Sequence, residues 1–153
     1  MTETASSFIH RPSDEHPGWN SWDLADDTRF NAVVMGKLIV RREGETSARM
    51  RMLSTLPRHS NLHGRIHGAV TLGLIDIGLF ATVHTVLGGN AAESVTLDLN
   101  TQFIGSGRIG APLDVVGEVV KETGRLVFLR GMVEQDDGLV ASFMGTIRKP
   151  TRR

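Results

Sequence analysis

The sequence contains no cysteine and no tyrosine among its 153 residues. Without cysteine it can form no disulfide, no thiol nucleophile, and no zinc site or iron–sulfur cluster with cysteine ligands. Without tyrosine it lacks the phenolic acid that short-chain dehydrogenases use. We therefore exclude disulfide scaffolds, zinc fingers and redox proteins.

An excess of charge of either sign is also missing, because 17 basic residues balance 17 acidic ones. A neutral chain gives no sign of a nucleic-acid surface, so no nucleic acid is expected as a partner. Hydrophobic residues make up 40% of the sequence, with 17 glycines beside them, which is typical of a globular protein. The length fits one domain with a sizeable core, and we take residues 1–153 as that single domain.

The first 27 residues are polar and rich in Asp, Ser, His and Pro. They hold no apolar segment behind a basic start, so we predict no secretory signal and a cytoplasmic protein. Residues 1–17 are expected to form a flexible or loosely packed lead-in to the domain.

One long apolar run, at residues 66–87, has to be tested as a membrane span. Its single formally charged residue, Asp76, lies near the middle, where a carboxylate costs about 2.5–3.5 kcal/mol on insertion scales. Three glycines and two histidines dilute the run further. We therefore predict a helix of about 20 residues that is buried within the protein, and no membrane partner.

Before this helix, the sequence predicts a short helix at residues 20–35 and then a hairpin that Pro57 closes. The two strands of the hairpin would span residues 37–42 and 46–56, and its turn would span residues 43–45. The long helix would end at Gly88-Gly89, because glycine readily adopts the conformation that ends helices.

After the long helix, the apolar period changes from that of a helix to that of a strand. Turn sequences at Thr123-Gly124 and at residues 136–138 separate four predicted strands, at residues 94–104, 113–122, 125–135 and 139–148. The fold class is therefore α+β, with a curled antiparallel sheet of about six strands around one long central helix, the last four strands in a meander. A helix that is apolar on every face must be covered all round, so a second subunit is expected to cover what the sheet leaves open.

Two apparent motifs have simpler explanations. Residues 105–110 spell Gly-x-Gly-x-x-Gly, which binds dinucleotides only where a helix follows, and here a strand-like sequence follows. We interpret that motif as a glycine-rich connection. His59, His63 and His67 are spaced four apart, as metal ligands on a helix would be. Because proline and glycines interrupt the stretch, we interpret it as a loop and predict no metal site.

The most informative element is the start of the long helix. Gly68 lies where the helix begins, so its backbone N–H is an unpaired donor that could stabilise a developing oxyanion, aided by the helix dipole. Asp76 follows about 12 Å further along the axis, too far for both groups to serve one atom within a subunit. An antiparallel copy of the helix could bring its own Asp76 opposite Gly68, so the spacing is compatible with a site shared across a dimer. The alternative for Asp76 is a buried acid that is hydrogen-bonded to Thr or His neighbours.

Residues 61–69 read Asn-Leu-His-Gly-Arg-Ile-His-Gly-Ala, with Asp76 downstream of them. This pattern resembles the Asn-x-x-Gly-x-x-His-Gly-Gly signature, with its following acid, of hotdog-fold acyl-CoA thioesterases of the phenylacetate-pathway type and their 4-hydroxybenzoyl-CoA relatives. Segments 94–103 and 138–146 also resemble that family, and the likeness extends over roughly residues 18–149. Ala69 departs from the signature, because it replaces the second glycine and narrows the space beside the helix start.

The resemblance implies a hotdog protein, a homodimer or homotetramer, that hydrolyses an acyl-CoA thioester to free acid and coenzyme A. Gly68 would polarise the thioester carbonyl through its N–H, and Asp76 of the partner subunit would be the general base or the nucleophile. Asn61 would hold the attacking water or the carbonyl side of the site. His67 would order the loop by bonding nearby backbone groups.

The resemblance also implies substrate contacts by Gly64, Ala69 and Thr96, the last at a position that contacts the acid in some members, and it implies no cofactor and no metal. Five arginines are candidates for binding the coenzyme A phosphates: Arg65, Arg108, Arg125, Arg130 and Arg148. Four aromatic residues belong either to the core or to the acyl pocket: Trp19, Trp22, Phe80 and Phe103. Two other functions stay open, a hotdog hydratase or dehydratase and a non-catalytic acyl-CoA-binding protein.

Overall fold

The computed structural model describes residues 8–89, 91–136 and 138–151. Within them, the helix α1 spans Gly68–Leu87, and helical turns lie at Asn31–Met35, Pro57–His59 and Ala91–Glu93. The strands are β1 (Phe8–Ile9), β2 (Asn20–Ser21), β3 (Asp23–Leu24), β4 (Leu38–Arg42), β5 (Ser47–Met52), β6 (Val95–Phe103), β7 (Leu113–Glu122), β8 (Leu126–Gln135) and β9 (Gly138–Arg148). Of the predicted turn between β8 and β9, Asp137 lies outside the described residues.

Local sequence signals set both ends of α1. His67 caps the start, because its imidazole Nδ1 accepts a hydrogen bond from the Ala69 N–H at 2.9 Å. Gly88 ends the helix with a φ of +71°, in the left-handed region that favours glycine. By length and hydropathy α1 could cross a membrane, but 56% of its most apolar stretch is buried within the protein, as in a core helix. The prediction of one long buried helix is confirmed.

Seven strands form one antiparallel sheet in the order β2-β4-β5-β7-β8-β9-β6, and α1 packs across its inner face. The predicted hairpin of β4 and β5 is confirmed, as is the pairing of β7 with β8 and of β8 with β9. The predicted meander of four strands is wrong in one respect, because β6 pairs with β9 at the sheet edge and not with β7. The glycine-rich residues 104–112 therefore form a long crossover from one edge of the sheet to its middle.

Glycines allow α1 to lie directly on the middle of the sheet. A Cβ at Gly78 of the helix would come within 2.7 Å of Val115 on β7. A Cβ at Gly117 of the strand would come within 2.3 Å of the Thr82 hydroxyl on the helix. Since distances this short would push the two elements apart, both positions need a residue without a side chain.

The predicted helix at residues 20–35 is wrong. β2 and β3 lie in the first part of this segment, where β2 pairs with β4 and β3 pairs with β1. Only Asn31–Met35 is helical, as one short π-helical turn that ends at Gly36. Pairing with strands elsewhere in the chain overrides the local helix signal, because strand preference depends on tertiary context.

The outer face of the sheet carries ion pairs that connect β5, β7 and β8. Asp114 lies at their centre, with only 7% of its side chain exposed. Its carboxylate accepts hydrogen bonds from Arg51 Nε and Nη2 and from Arg49 Nη1, each at 2.8 Å. Trp19 covers the neighbouring surface, with the Arg51 guanidinium 5.1 Å from its ring centroid. Because Asp114 is buried, its charge depends on both guanidinium partners.

We expect Asp114→Asn to lower the free energy of unfolding by about 2–3 kcal/mol, because two partly hydrated guanidinium groups lose a buried anionic partner. Glu118→Gln is the matched control, since it removes the partner of Arg130 from an exposed ion pair. That loss should stay below about 1 kcal/mol. Urea denaturation measures both values, and equal losses in the two variants would contradict this account.

Two histidines hold the N-terminal segment against the last turns of α1. The rings of His10 and His84 lie 4.8 Å apart between centroids, and Trp22 contacts both. Burial, and then repulsion from His10, lowers the pKa of His84, although a hydrogen bond between its Nδ1 and the Gly89 carbonyl opposes the shift. The cluster therefore favours the neutral form of His84.

Folding stability should fall as the pH drops through the ordinary histidine pKa of 6.5, because the unfolded chain then binds a proton that folded His84 accepts only at lower pH. We expect the midpoint of thermal unfolding to decrease between about pH 7.5 and 5.5, and less steeply in His84→Gln. His63→Gln, on an exposed loop, should keep the wild-type slope. Identical slopes in all three proteins would exclude titration of His84 in this range.

Candidate active site

The loop before α1 is ordered by the side chain of Asn61. Its Oδ1 accepts hydrogen bonds from the backbone N–H groups of His63 at 2.9 Å and of Arg65 at 3.1 Å. Gly64 makes the reversal possible, because its φ of +69° lies in the left-handed region. The amide nitrogen of Asn61 has no acceptor among the described residues, and Asn61 lines a small surface pocket with His63 and His67. The loop therefore uses the oxygen of Asn61 and leaves its donor available.

A buried histidine fixes this loop to the rest of the protein. His59 Nε2 bonds the Val34 carbonyl of the π-helical turn, and His59 Nδ1 accepts from the Leu56 N–H. Its own carbonyl accepts from the His67 N–H at 2.8 Å, directly before the helix. The sequence shows His59 only as one of three spaced histidines. Its burial in a polar loop, which the sequence does not display, is what makes it a positioning residue.

The three spaced histidines take up different environments. His59 is buried, His63 is exposed on the loop, and His67 caps the helix. Across the described ranges, no group of three His, Cys, Asp or Glu side chains is placed to hold a metal ion.

At the start of α1, the Gly68 N–H points out of the helix without an acceptor among the residues that the structure describes. The cap at His67 engages the next donor, that of Ala69. The ring of Phe103 borders Gly68, since a Cβ there would lie 3.3 Å from the ring, and 56% of Phe103 is exposed. The helix dipole thus presents a free donor beside an apolar surface.

Asp76 lies two turns further along a stripe of α1 that the sheet does not fully cover. Thr96 on β6 donates its hydroxyl hydrogen bond to Asp76 Oδ1 at 2.7 Å. The second carboxylate oxygen has no partner in the described part of the chain. Asp76 is partly exposed in the single chain, so it has the threonine partner of the alternative interpretation but not its burial. The stripe consists of Ala69, Leu72, Asp76 and Phe80.

The stripe on α1 and the strand β6 form one open face. β6 is the edge strand of the sheet, paired only with β9, and none of its nine residues is buried. Exposed apolar side chains lie along it, at Val95, Leu97 and Phe103. An unpaired edge beside an apolar helix stripe is a surface that natural proteins normally cover.

The structure brings the predicted site residues together in two groups. Five lie at or just before the helix start: Asn61, Gly64, His67, Gly68 and Ala69. The other two, Asp76 and Thr96, are bonded to each other about 12 Å along the helix axis, by its rise per residue. One group offers a hydrogen-bond donor and the other a carboxylate, which is the combination that acyl transfer to water requires.

The sequence did not predict that the π-helical turn packs against the start of α1. A Cβ at Gly73 of α1 would lie 2.7 Å from Met35 Cε and 3.2 Å from the Phe30 ring. Phe30 and Met35 therefore pack over the first turns of α1. No local motif reveals this contact, because it joins residues that are about 40 positions apart in the chain.

Residues 63–142, just over half of the chain, match the family model of the thioesterase superfamily, while no curated protein matches this sequence. Thioesterase superfamily member 2 of zebrafish matches 81% of this chain and 88% of its own, with 22% identity and a TM-score of 0.68. The E. coli PaaI protein of the phenylacetic acid degradation operon matches 82% and 87%, with 18% identity and a TM-score of 0.69. The conserved protein PA5202 of Pseudomonas aeruginosa matches 82% and 99%, with 24% identity and a TM-score of 0.68.

At these identities the solved structures establish the fold. They share a long central helix within a large antiparallel sheet, so the predicted hotdog fold is confirmed, with seven strands in the main sheet. The family model covers all of α1, the strands β6, β7 and β8 and the start of β9, and thus the segment that carries Gly68 and Asp76. The chain belongs to the thioesterase superfamily.

Proposed function

We propose that the protein is an acyl-CoA thioesterase of the phenylacetate-pathway type, which hydrolyses an acyl-CoA thioester to the free acid and coenzyme A. One observation carries the proposal. The unpaired N–H of Gly68 and the half-bonded carboxylate of Asp76 both open onto the same uncovered face of α1. These are the two groups that thioester hydrolysis needs, and the Gly68 N–H and one oxygen of Asp76 have no partner among the described residues.

In the proposed reaction, the Gly68 N–H donates a hydrogen bond to the thioester oxygen as negative charge develops there. Asp76 removes a proton from a water molecule whose oxygen forms a bond with the carbonyl carbon. The tetrahedral intermediate collapses, the carbon–sulfur bond breaks, and the proton held by Asp76 passes to the thiolate of coenzyme A. Because Thr96 occupies Oδ1 of Asp76, the free Oδ2 is the oxygen that faces the water.

The separation of the two groups supports a site that two subunits share. Within one chain they lie about 12 Å apart, beyond the reach of one carbonyl carbon and its attacking water. A homodimer formed through β6 and the stripe on α1 would place Asp76 of the partner subunit opposite Gly68. It would also pair the open edge of β6 and cover the exposed apolar side chains, which favours this face for the contact.

The remaining predicted residues support the two reacting groups. His67 and Gly64 hold the loop and the helix start in place, and the free amide of Asn61 is available to bind the water or the carbonyl. Thr96 positions the carboxylate, and the exposed methyl group of Ala69 borders the acyl side.

The first test is thiol release from aryl-, short- and long-chain acyl-CoAs by the wild type and by Asp76→Asn. The amide oxygen of Asn can still accept the Thr96 hydrogen bond but cannot remove a proton, so we expect kcat to fall roughly a hundred- to ten-thousandfold. Asp14→Asn, at an exposed acid of the N-terminal segment outside the proposed site and dimer contact, is the control and should keep wild-type activity. Unchanged turnover in Asp76→Asn would exclude this acid.

No thiol release by the wild type would overturn the thioesterase proposal. Enoyl-CoA hydration would then assign a hydratase, and binding of acyl-CoA without turnover would assign a binding protein.

A second test removes the donor and asks which subunit supplies the acid. Gly68→Pro deletes the N–H at a helix position where proline is tolerated, after a residue already extended at ψ 138°. We expect a loss of about 10²–10³ in kcat, whereas Gly68→Ala adds the same Cβ, keeps the N–H and should lose much less.

Mixed dimers of Gly68→Pro and Asp76→Asn should regain roughly a quarter of wild-type activity, because half of the random dimers then contain one intact site. Such dimers form when the two variants are unfolded, mixed and then refolded together. No recovery in verified mixed dimers would place both groups in the same subunit.

A further inference from the structure

Of the five arginines that the sequence offers for phosphate binding, the structure brings two together. Arg125, at the start of β8, and Arg148, at the end of β9, line one surface cleft of about 860 Å³. Arg130 instead forms an ion pair with Glu118 at 2.9 Å. The backbones of Arg65 and Arg108 pair with each other outside the cleft.

The cleft has an apolar floor and a basic rim. The floor comes from the last turns of α1 and the segment after it, with Val83, Leu87 and Ala91. Arg125, Arg148 and Lys149 form the rim. An apolar base bordered by cationic residues suits a ligand that has both a hydrophobic part and anionic groups.

The charges of the rim are only partly balanced. Lys149 Nζ binds Glu122 Oε1 at 2.8 Å, and Glu122 is the only carboxylate among the residues that line the cleft. Arg125 and Arg148 are exposed and form no ion pair with any described residue. The carbonyls at the end of α1 do not offset them fully, because the Arg42 guanidinium already binds two of these carbonyls. The cleft is therefore bordered by two arginines that have no acidic partner among the described residues.

Backbone hydrogen bonds fix the positions of both arginines. Arg148 lies in the sheet opposite Leu126 on one side and Val95 on the other. The Arg125 carbonyl accepts from the Lys149 N–H at 2.8 Å, and Thr123 closes the adjoining turn through its hydroxyl, which accepts from the Leu126 N–H at 2.9 Å. Anchored backbones reduce the entropy that is lost when the side chains order around a ligand.

We propose that this cleft binds the phosphate groups of the substrate, at the nucleotide end of coenzyme A, through Arg125 and Arg148. Guanidinium groups can bind phosphate oxygens with paired hydrogen bonds. The assignment rests on the proposed thioesterase function. Leu87 at the cleft lies about 16 Å from Asp76 along the axis of α1, by the helix rise. One subunit would then provide the acid and the phosphate cleft, and its partner the Gly68 N–H.

The test compares two substrates with the same acyl group, an acyl-CoA and the N-acetylcysteamine thioester, which has no nucleotide. In Arg125→Gln/Arg148→Gln we expect KM for the acyl-CoA to rise at least about tenfold, since hydrogen bonds to charged groups are among the stronger ones. KM and kcat for the truncated thioester should stay at wild-type values. Arg130→Gln, which removes an arginine from the outer face, is the matched control and should change neither.

Binding provides a second readout that does not depend on turnover. Calorimetry should detect adenosine 3′,5′-bisphosphate binding to the wild type, with affinity that falls as salt is added, and a loss of binding in the double variant. Adenosine, which lacks phosphates, should not bind. Because both arginines are exposed, the thermal unfolding midpoint should be unchanged in the double variant.

The failures of the two proposals are distinguishable. Hydrolysis of acyl-CoA with the same KM in the wild type and the double variant would overturn the cleft assignment and leave the thioesterase intact. Arginine-dependent binding of the bisphosphate without hydrolysis of either thioester would support the cleft and overturn the thioesterase. Binding of adenosine as tight as that of the bisphosphate would exclude phosphate recognition.

Discussion

The burial of α1 is the constraint on which the rest of the structure depends. The helix has almost no polar face, so it is stable only where other surfaces cover it on nearly every side. The sheet covers most of it, helped by the close contacts at Gly78 and Gly117. One stripe remains open, and Asp76 lies within that stripe. The same packing that builds the core therefore places the one acid of the helix at an unfinished surface.

Local signals were sufficient to predict the elements next to the site. A polar cap before Gly68 and a glycine after Leu87 define α1, and the tight turn at Thr123-Gly124 defines the hairpin of β7 and β8. The pairing of β6 with β9 could not be predicted in this way, because it joins strands that are distant in sequence and no local turn sequence connects them. The prediction of a helix at residues 20–35 was wrong for a related reason, since strand partners elsewhere in the chain decide the conformation of this segment.

The residues of the candidate site also divide into those that local sequence predicts and those that depend on contacts between distant segments. The backbone donor at Gly68 was predictable from where the helix begins, and Asp76 from its charge within an apolar run. The hydrogen bond from Thr96 to Asp76 followed only from the family resemblance, because it depends on β6 lying beside the helix. The anchoring role of His59 was beyond prediction, since it depends on the Val34 carbonyl of a distant turn. Sequence thus indicated the two candidate reacting groups, and the tertiary structure showed which residues hold them in place.

The open face also concentrates polar groups that lack partners within the described chain. The Gly68 N–H and the second oxygen of Asp76 are free, and the buried hydroxyl of Thr101, on β6 between Thr96 and Phe103, has no partner there either. Leaving a buried polar group unpaired costs about 1–3 kcal/mol, so such groups are rare in stable folds unless something else completes them. On the outer face of the sheet, by contrast, Asp114 is fully engaged by Arg49 and Arg51. A partner subunit or a substrate would complete a surface that keeps unpaired donors and acceptors beside apolar side chains, and this links the proposed assembly to the proposed chemistry.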